Sequence, residues 1–406
     1  RYLVVHEIGH TLGLMHNMRS SYAYPVDSLR SRTFTDKYGT TPSVMDYARY
    51  NYVAQPGDDV AWLLPPRLGV YDYFAISWGY KPIYDADTPE DEKPVLNSWI
   101  KAHADDPMYW YGEQEFLTSV DPAAQTESLG DDAVKASEYG MRNLKIIMQN
   151  LNSWTARDGE DYEYTQEMYE EVLKQFNRYM GHVLKYIGGN YRLYPVHGDG
   201  KAAFEPVSKE KQKEALNFVY TKASEMPEWL QDNALLRQFE PSNPMINDLQ
   251  AAYVKNLLSV YTKVGYTSRL SSDPYTVEEY IDDIYSLVFG KSIAGKKLTL
   301  SDRNMEYAFV YTLFENLGML KSPVSAKSFA ADDIFAHGVF AEDDAWPCQY
   351  ICCSHTHAEE NSLTASRRES DIKIQGKAVF YSVLMKVKSI VDKRASSAKG
   401  EDKAHY

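Results

Sequence analysis

Apolar residues recur at three- and four-residue steps along most of the chain after residue 83, which is the spacing of one face of an α-helix. One such stripe runs from Met168 to Leu184 and another from Ala136 to Leu151. The same spacing predicts a helix that starts near Leu216 and further helices over residues 249–261, 277–288, 305–314 and 372–391. We find no alternating strand pattern of comparable length and no internal repeat in the sequence, so we expect a bundle or array of helices.

Capping and turn-forming residues divide this helical pattern. Thr276 is a predicted N-cap because Glu279 follows three residues later, and Pro227 is expected to end the helix that starts near Leu216. Glycines between residues 188 and 200 predict an irregular or hairpin connection. The polar residues 396–406 predict a frayed tail.

The first residues carry a pattern with chemical meaning, His-Glu-Ile-Gly-His-Thr-Leu-Gly-Leu-Met-His. His6 and His10 are four residues apart, so a helix places both imidazoles on one face, where they suit a zinc ion. Glu7 is a candidate general base for a water on that ion. A third ligand at His16 requires the chain to turn sharply, and Gly13 permits the positive φ that such a turn needs.

The short pattern His-Glu-x-x-His also arises by chance on surface helices. Five fixed residues at set spacing are rarely matched by chance, and this favours a catalytic site for one zinc ion with His6, His10 and His16 as ligands. Tyr2, Leu3, Val4 and Val5 before the motif and Leu12 after it are expected to supply the apolar backing that buries the helix.

Downstream of His16 the chain reads Ser-Val-Met-Asp-Tyr over residues 43–47. Here it resembles the metzincins, the zinc-peptidase clan that includes the astacins and serralysins. The resemblance implies that Met45 forms the floor beneath the three histidines in a Met-turn. It also implies that Tyr47 approaches the zinc, as a fifth ligand or as a donor to the oxyanion. Ordinary packing remains the alternative for Tyr47, since the chain has 33 tyrosines.

Residues 69–80 resemble the last helix of a metzincin catalytic domain. Tyr71, Phe74 and Trp78 recur at helical spacing, and Gly79 is a plausible end of that helix. Asp72 is a candidate anchor of the Met-turn through hydrogen bonds, with a solvated acid as the alternative.

A closer resemblance is to a group of large metzincin-like proteases best represented in Bacteroidetes. It rests on residues 43–58, 129–132 and 139–140. Members of that group are expected to be bacterial proteins that are exported, to the periplasm, the outer membrane or the medium, with further domains before the zinc helix. The resemblance divides the chain into residues 1–82, the C-terminal part of a metzincin zinc-peptidase domain, and residues 83–406, a helical accessory region.

The expected fold class is therefore mainly α, without the upper β-sheet sub-domain that precedes the zinc helix in metzincins. Because that sheet binds substrate by strand addition, we expect a chain without it to be weakly active or inactive and to expose apolar surface on the zinc helix. The missing N-terminal domains of the same polypeptide are the expected partners, together with a peptide or protein substrate.

Composition narrows the partners further. The net charge of −14 argues against nucleic acid or an anionic membrane as a partner, and no apolar run in the sequence is long enough for a membrane span. The first residues do not read as a secretory signal, and a start inside a motif suggests a piece of a longer polypeptide. A second metal site of nonstandard spacing is an alternative for the cysteines and histidines near residue 350, with buried thiols and surface imidazoles as the favoured interpretation; these residues are Cys348, Cys352, Cys353, His355 and His357.

Three functions remain open from the sequence. The leading hypothesis is a zinc endopeptidase in which Glu7 removes a proton from the attacking water. The second is a catalytically idle module that keeps the zinc helix as structure, and the third is hydrolysis of a non-peptide amide. Glu7 argues against the second hypothesis, because a purely structural site has no use for that carboxylate.

Overall fold

The structure is a computed structural model that describes residues 1–113, 121–197, 200–239, 246–320 and 362–406. It is mainly helical, as the sequence predicts. The α-helices are α1 Tyr2–Thr11, α2 Arg32–Tyr38, α3 Val70–Tyr80, α4 Pro89–Lys101, α5 Ala133–Thr155, α6 Glu163–Leu184, α7 Lys209–Trp229, α8 Asn233–Leu236, α9 Ile246–Ser259, α10 Tyr261–Thr267, α11 Val277–Val288, α12 Gly290–Ile293, α13 Leu300–Leu317, α14 Ser362–Ala395 and α15 Glu401–His405.

The one sheet of the described residues has two short strands, β1 Asn190–Arg192 and β2 Phe204–Pro206. Of the two alternatives predicted for this region, an irregular or a hairpin connection, the pairing of β1 with β2 favours the hairpin. Every helix in the described ranges is too short or too polar to cross a lipid bilayer. The possible second metal site at Cys348, Cys352, Cys353, His355 and His357 lies outside the described residues.

The chain forms two compact units. The first comprises residues 1–144 and 191–204, and the second comprises residues 145–190 and 205–406. The first unit extends beyond residue 82, where we divided the sequence. That division into a zinc domain and a helical accessory region stays a prediction.

The first unit has a small core built mostly from turns and short helices. The 3₁₀-helices Ser20–Ala23 and Val26–Arg30 lie at its centre. The buried side chains that form this core are Tyr24, Val26, Leu29, Ala48, Val53, Leu129 and Ala136. Side chains satisfy much of the irregular backbone: Asn143 Nδ2, for example, donates to the carbonyls of Tyr52 and Ala54, each at 2.9 Å.

The second unit is a helical bundle in which α9 packs against α7 and α13, while α11 and α13 pack against α14. The predicted apolar stripe from Met168 to Leu184 faces its core, where Phe176, Phe309 and Phe380 are fully buried. Tyr280 is also fully buried, and its hydroxyl donates to the Leu257 carbonyl at 2.6 Å. Thr276 caps α11 as predicted, its Oγ1 accepting from the backbone N–H of the third helical residue at 3.1 Å.

The prediction that Pro227 ends its helix is wrong, because α7 continues to Trp229. A proline inside a helix leaves the carbonyl four residues earlier without its usual donor. That carbonyl belongs to Ala223, and the buried Gln250 side chain donates to it at 2.8 Å. A tertiary hydrogen bond therefore replaces the one that the proline removes.

The prediction of a frayed tail is wrong as well. Residues 401–405 form α15, in which Asp402 is buried and pairs with Arg303 at 3.2 Å. His405 Nε2 lies 2.8 Å from a carboxylate oxygen of the buried Glu306. The polar composition that suggested a loose tail instead supplies ion pairs that dock this segment on α13.

Gly188 offers a test of close packing in the second unit. Its φ is +67°, and an added Cβ would lie 2.6 Å from backbone atoms of Lys263 and Val264. We expect Gly188→Ala to lower the free energy of unfolding by about 2–4 kcal/mol, through backbone strain and overpacking. Gly181→Ala is the matched control, since this site is helical and has open space around it. The control should gain roughly 0.5–1 kcal/mol in urea unfolding; equal midpoints for the two variants would contradict the prediction.

Candidate metal centre

Helix α1 presents two imidazoles to one point. His6 is 2% exposed, and its Nδ1 lies 2.8 Å from the Val44 carbonyl oxygen. His10 Nδ1 lies 2.9 Å from the Leu14 carbonyl oxygen. A carbonyl only accepts, so Nδ1 is the donor in both rings and Nε2 carries the free lone pair. Metal-binding histidines are held in this way, with the outer nitrogen bonded to an acceptor.

Gly13 brings the third histidine back toward the first two. Helix α1 ends at Thr11, and Gly13 adopts a φ of +82° in the turn that follows. The turn is closed by the Leu14 N–H, which donates to the Gly9 carbonyl at 3.0 Å. As a result His16 Nε2 lies 3.0 Å from Nε2 of His10. The structure thus brings together the residues that the helix–glycine–histidine spacing predicts.

One ion fits the three histidines. Their candidate ligand atoms all lie within 4.8 Å of one another, and His6 Nε2 is buried with no hydrogen-bond partner among the described residues. Tetrahedral zinc, with Zn–N bonds of about 2.0–2.1 Å, needs ligand nitrogens roughly 3.3 Å apart, so small shifts of the rings suffice. Burial lowers the pKa of His6, and burial together with the neighbouring His10 and His6 lowers the pKa of His16 to about 3. Both rings are therefore neutral at physiological pH, which is the form that binds metal.

Met45 lies directly beneath the zinc helix. It is fully buried, and a Cβ added at Gly9 would collide with its Sδ. Gly9 is a functional position that our sequence reasoning missed, although a glycine in the interior of a helix was a visible signal. The backbone N–H of Asn17, the residue after His16, donates to the Met45 carbonyl at 3.1 Å.

Asp72 on α3 anchors the turn that carries Met45. It is 2% exposed, and its Oδ2 accepts from the backbone N–H groups of Val44 and Gly69, each at 2.8 Å. Its Oδ1 accepts from Ser43 Oγ at 2.7 Å. Burial raises the pKa of Asp72, and these three hydrogen bonds oppose the rise. The structure therefore bears out the predicted anchor over the alternative of a solvated acid.

Helix α3 differs from the prediction at its end. It continues through Gly79 to Tyr80, whose hydroxyl donates to the Leu12 carbonyl at 2.9 Å. This bond joins the last residue of α3 to the residue that follows α1, a contact that the glycine signal did not predict.

Tyr47 lies beside two of the three histidines. Its ring centroid is 5.3 Å from that of His6, in a stacked arrangement, and 4.5 Å from that of His16. The adjacent Asp46 is fully buried and accepts from the backbone N–H groups of Ser21 at 2.6 Å and Ala48 at 2.9 Å. Burial raises the pKa of Asp46 to about 8. Our sequence reasoning gave Asp46 no role.

Glu7 follows His6 on α1 and is half-buried. One residue further along a helix is a rotation of about 100°, so Glu7 lies beside the face that carries the histidines and not on it. Its charge reaches this site, since burial chiefly lowers the pKa of His6 while Glu7 acts to raise it.

The outer face of α1 is apolar and exposed. Val4 is 59% exposed, Ile8 51%, Leu12 42% and Met15 58%. Val4 and Ile8 lie on α1, and Leu12 and Met15 lie in the segment directly after it; we call these four residues the α1 stripe. The expected backing of the helix by Val4 and Leu12 is therefore wrong for these two residues: the inner face packs on the Met-turn, and the stripe faces outward. The expected exposure of apolar surface on the zinc helix is observed.

Three imidazoles that converge across a glycine turn, above a buried methionine, define a zinc metallopeptidase-like domain. The chain belongs to the family described as Met-zincin, whose model matches residues 1–295. No curated protein and no solved structure matches the chain. The metzincin resemblance and the expected fold class, a mainly helical part of such a domain without the upper sheet in the described residues, are thereby confirmed. The Bacteroidetes origin stays an expectation.

Replacement of Asp72 tests the anchor of the Met-turn. Asp72→Ala should lower the free energy of unfolding by about 2–4 kcal/mol, because two buried N–H groups lose their acceptor. Asp72→Asn should cost less, since its amide oxygen can still accept from Val44 and Gly69 while its NH₂ group donates to Ser43 Oγ. Urea unfolding of the metal-free protein measures both, and equal losses for the two variants would argue against an anchor of this kind.

Proposed function

We propose that the protein is a zinc-dependent metalloendopeptidase that hydrolyses peptide bonds. The convergence of His6, His10 and His16 on one point, with Glu7 beside it, supports this proposal most strongly. When bound, zinc supplies Lewis acidity, which acidifies a water and polarises a carbonyl. His6, His10 and His16 would hold the ion, and the carbonyls that accept from Nδ1 of His6 and His10 direct the Nε2 lone pairs of these two rings toward it.

In this proposal Glu7 moves the proton. Its carboxylate accepts a proton from the water as the water oxygen bonds to the carbonyl carbon of the substrate. It then donates that proton to the leaving amine as the C–N bond breaks. The position of Glu7 beside the histidine face suits this role, because a group on the face itself would compete with the ligands.

Tyr47 stabilises the oxyanion in the same proposal. Negative charge develops on the carbonyl oxygen of the substrate, and a phenol close to the histidines can donate a hydrogen bond to it. The ring contacts of Tyr47 with His6 and His16 support this placement. Ordinary packing of the ring remains the alternative for Tyr47.

A catalytically idle, zinc-containing scaffold or binding module is the alternative, and the α1 stripe bears on which form of the protein is active. An uncovered apolar face next to the zinc helix is expected where a further layer of structure packs. We therefore propose that residues 1–406 alone have weak peptidase activity or none, and that the full-length protein is active. Export from a bacterial cell is a further proposal, supported by the family resemblance alone.

Replacement of Glu7 separates the endopeptidase from the scaffold. In the full-length protein, Glu7→Gln should lower kcat toward a peptide substrate by roughly 10²- to 10⁴-fold, the usual contribution of a general base. Zinc content, measured by atomic absorption, should stay at one ion per chain, because no ligand is changed.

His10→Ala is the control, and it should lose both zinc and activity. A full-length protein that holds zinc but cleaves no peptide, with or without Glu7, would leave only the scaffold. Cleavage of non-peptide amides in preference to peptides in a substrate panel would redirect the proposal to amide hydrolysis.

A further inference from the structure

Three consecutive carbonyls of the Met-turn accept hydrogen bonds from the segment that carries the histidines. The Val44 carbonyl accepts from His6 Nδ1 at 2.8 Å, and the Met45 carbonyl accepts from the backbone N–H of the residue after His16 at 3.1 Å. The third, the Asp46 carbonyl, accepts from the hydroxyl of Tyr2 at 2.8 Å. Of these donors, His6 is itself a candidate ligand and Asn17 directly follows one, whereas Tyr2 is the side-chain donor that is not a candidate ligand.

Tyr2 and His6 are one turn apart on α1. Four residues advance a helix by about 6 Å along its axis, so the two side chains can reach two carbonyls on either side of Met45. The two rings also lie close together, with their centroids 5.7 Å apart. Tyr2, in the first turn of α1, therefore fixes the carbonyl of Asp46, while His6 fixes the carbonyl of Val44.

The bond from Tyr2 acts directly on the backbone of Tyr47. The carbonyl of Asp46 and the N–H of Tyr47 belong to the same planar peptide unit. A fixed carbonyl of Asp46 therefore also fixes the backbone nitrogen of Tyr47. The next peptide unit is held too, because the Ala48 N–H donates to the Asp46 carboxylate at 2.9 Å. Both peptide units that flank Tyr47 are thus held, and only its side-chain torsions are left to move.

We propose that Tyr2 is a positioning residue for Tyr47. Its hydroxyl sets the orientation of the peptide unit between Asp46 and Tyr47, and that orientation directs the phenol of Tyr47 toward the point where His6 and His16 converge. This inference rests on the proposed function, because it assigns Tyr2 a task only if Tyr47 acts at the metal. If Tyr2 had only a structural role, its ring would support His6 and the metal site as a whole, and its hydroxyl would have no specific effect on Tyr47.

Tyr2→Phe tests the proposal, because it removes the hydroxyl and keeps the ring against His6. The full-length protein is loaded with Cu²⁺, and the absorption band of phenolate-to-copper charge transfer reports whether Tyr47 reaches the metal. The band should be present in the wild type, absent in Tyr47→Phe and strongly weakened in Tyr2→Phe. Zinc affinity, from competition with a chelator, should change by less than about threefold in Tyr2→Phe, since the ligands keep their own hydrogen bonds.

The kinetic readout should agree with the spectrum. In this proposal Tyr47 reaches the metal in the resting protein and donates to the oxyanion during the reaction, so loss of the hydrogen bond that orients it should lower kcat by about tenfold and leave KM unchanged. Tyr280→Phe is the matched control, because it also removes a tyrosine hydroxyl that donates to a backbone carbonyl, at 2.6 Å, but belongs to the second compact unit. The control should keep the wild-type band, kcat and zinc affinity.

Each other outcome overturns the proposal in a distinguishable way. A wild-type band and kcat in Tyr2→Phe would show that the hydroxyl does not position Tyr47. Loss of zinc binding in parallel with the band would show that Tyr2 only supports the histidines. A wild type with no band, together with a Tyr47→Phe variant of normal kcat, would show that Tyr47 takes no part in the reaction. The proposed peptidase function would then still be tested by the Glu7→Gln variant.

Discussion

The site depends on the hydrogen bond between His6 Nδ1 and the carbonyl of Val44. It joins two segments that are 38 residues apart in the chain, and it does two things at once. It assigns the proton to Nδ1, which leaves the lone pair of Nε2 for a ligand. It also fixes the distance between α1 and the Met-turn, so that Met45 lies under Gly9 with no room for a side chain at that position. Asp72 then holds the turn from the other side, by accepting from the Val44 N–H.

Much of the site could be predicted from the sequence because its geometry is local. The four-residue spacing of His6 and His10 and the positive φ of Gly13 both follow from elementary backbone rules. The hydrogen-bond partners could not be predicted in the same way. The hydrogen bond between Tyr2 and Asp46 joins residues that are 44 positions apart, and no periodicity or motif in a single sequence predicts such a pair.

The same distinction explains the fold. Apolar stripes predicted the long helices correctly, since each stripe needs only its own residues to show the period. The predictions were wrong where a residue distant in sequence forms a hydrogen bond or ion pair that the local pattern does not show. Pro227 lies inside a helix because Gln250 supplies the missing donor, and the polar tail forms a helix because Arg303 pairs with Asp402. Propensity is a weak prior where such tertiary partners exist.

The α1 stripe also bears on how the molecules meet one another in solution. An exposed apolar stripe favours association between copies of the chain, while the net charge of −14 makes those copies repel one another. Dissolved salt shortens the reach of the repulsion to roughly 8 Å at physiological ionic strength and leaves the attraction almost untouched. For any form of the protein in which the stripe is uncovered, added salt is therefore expected to favour association, and dilute buffer to oppose it.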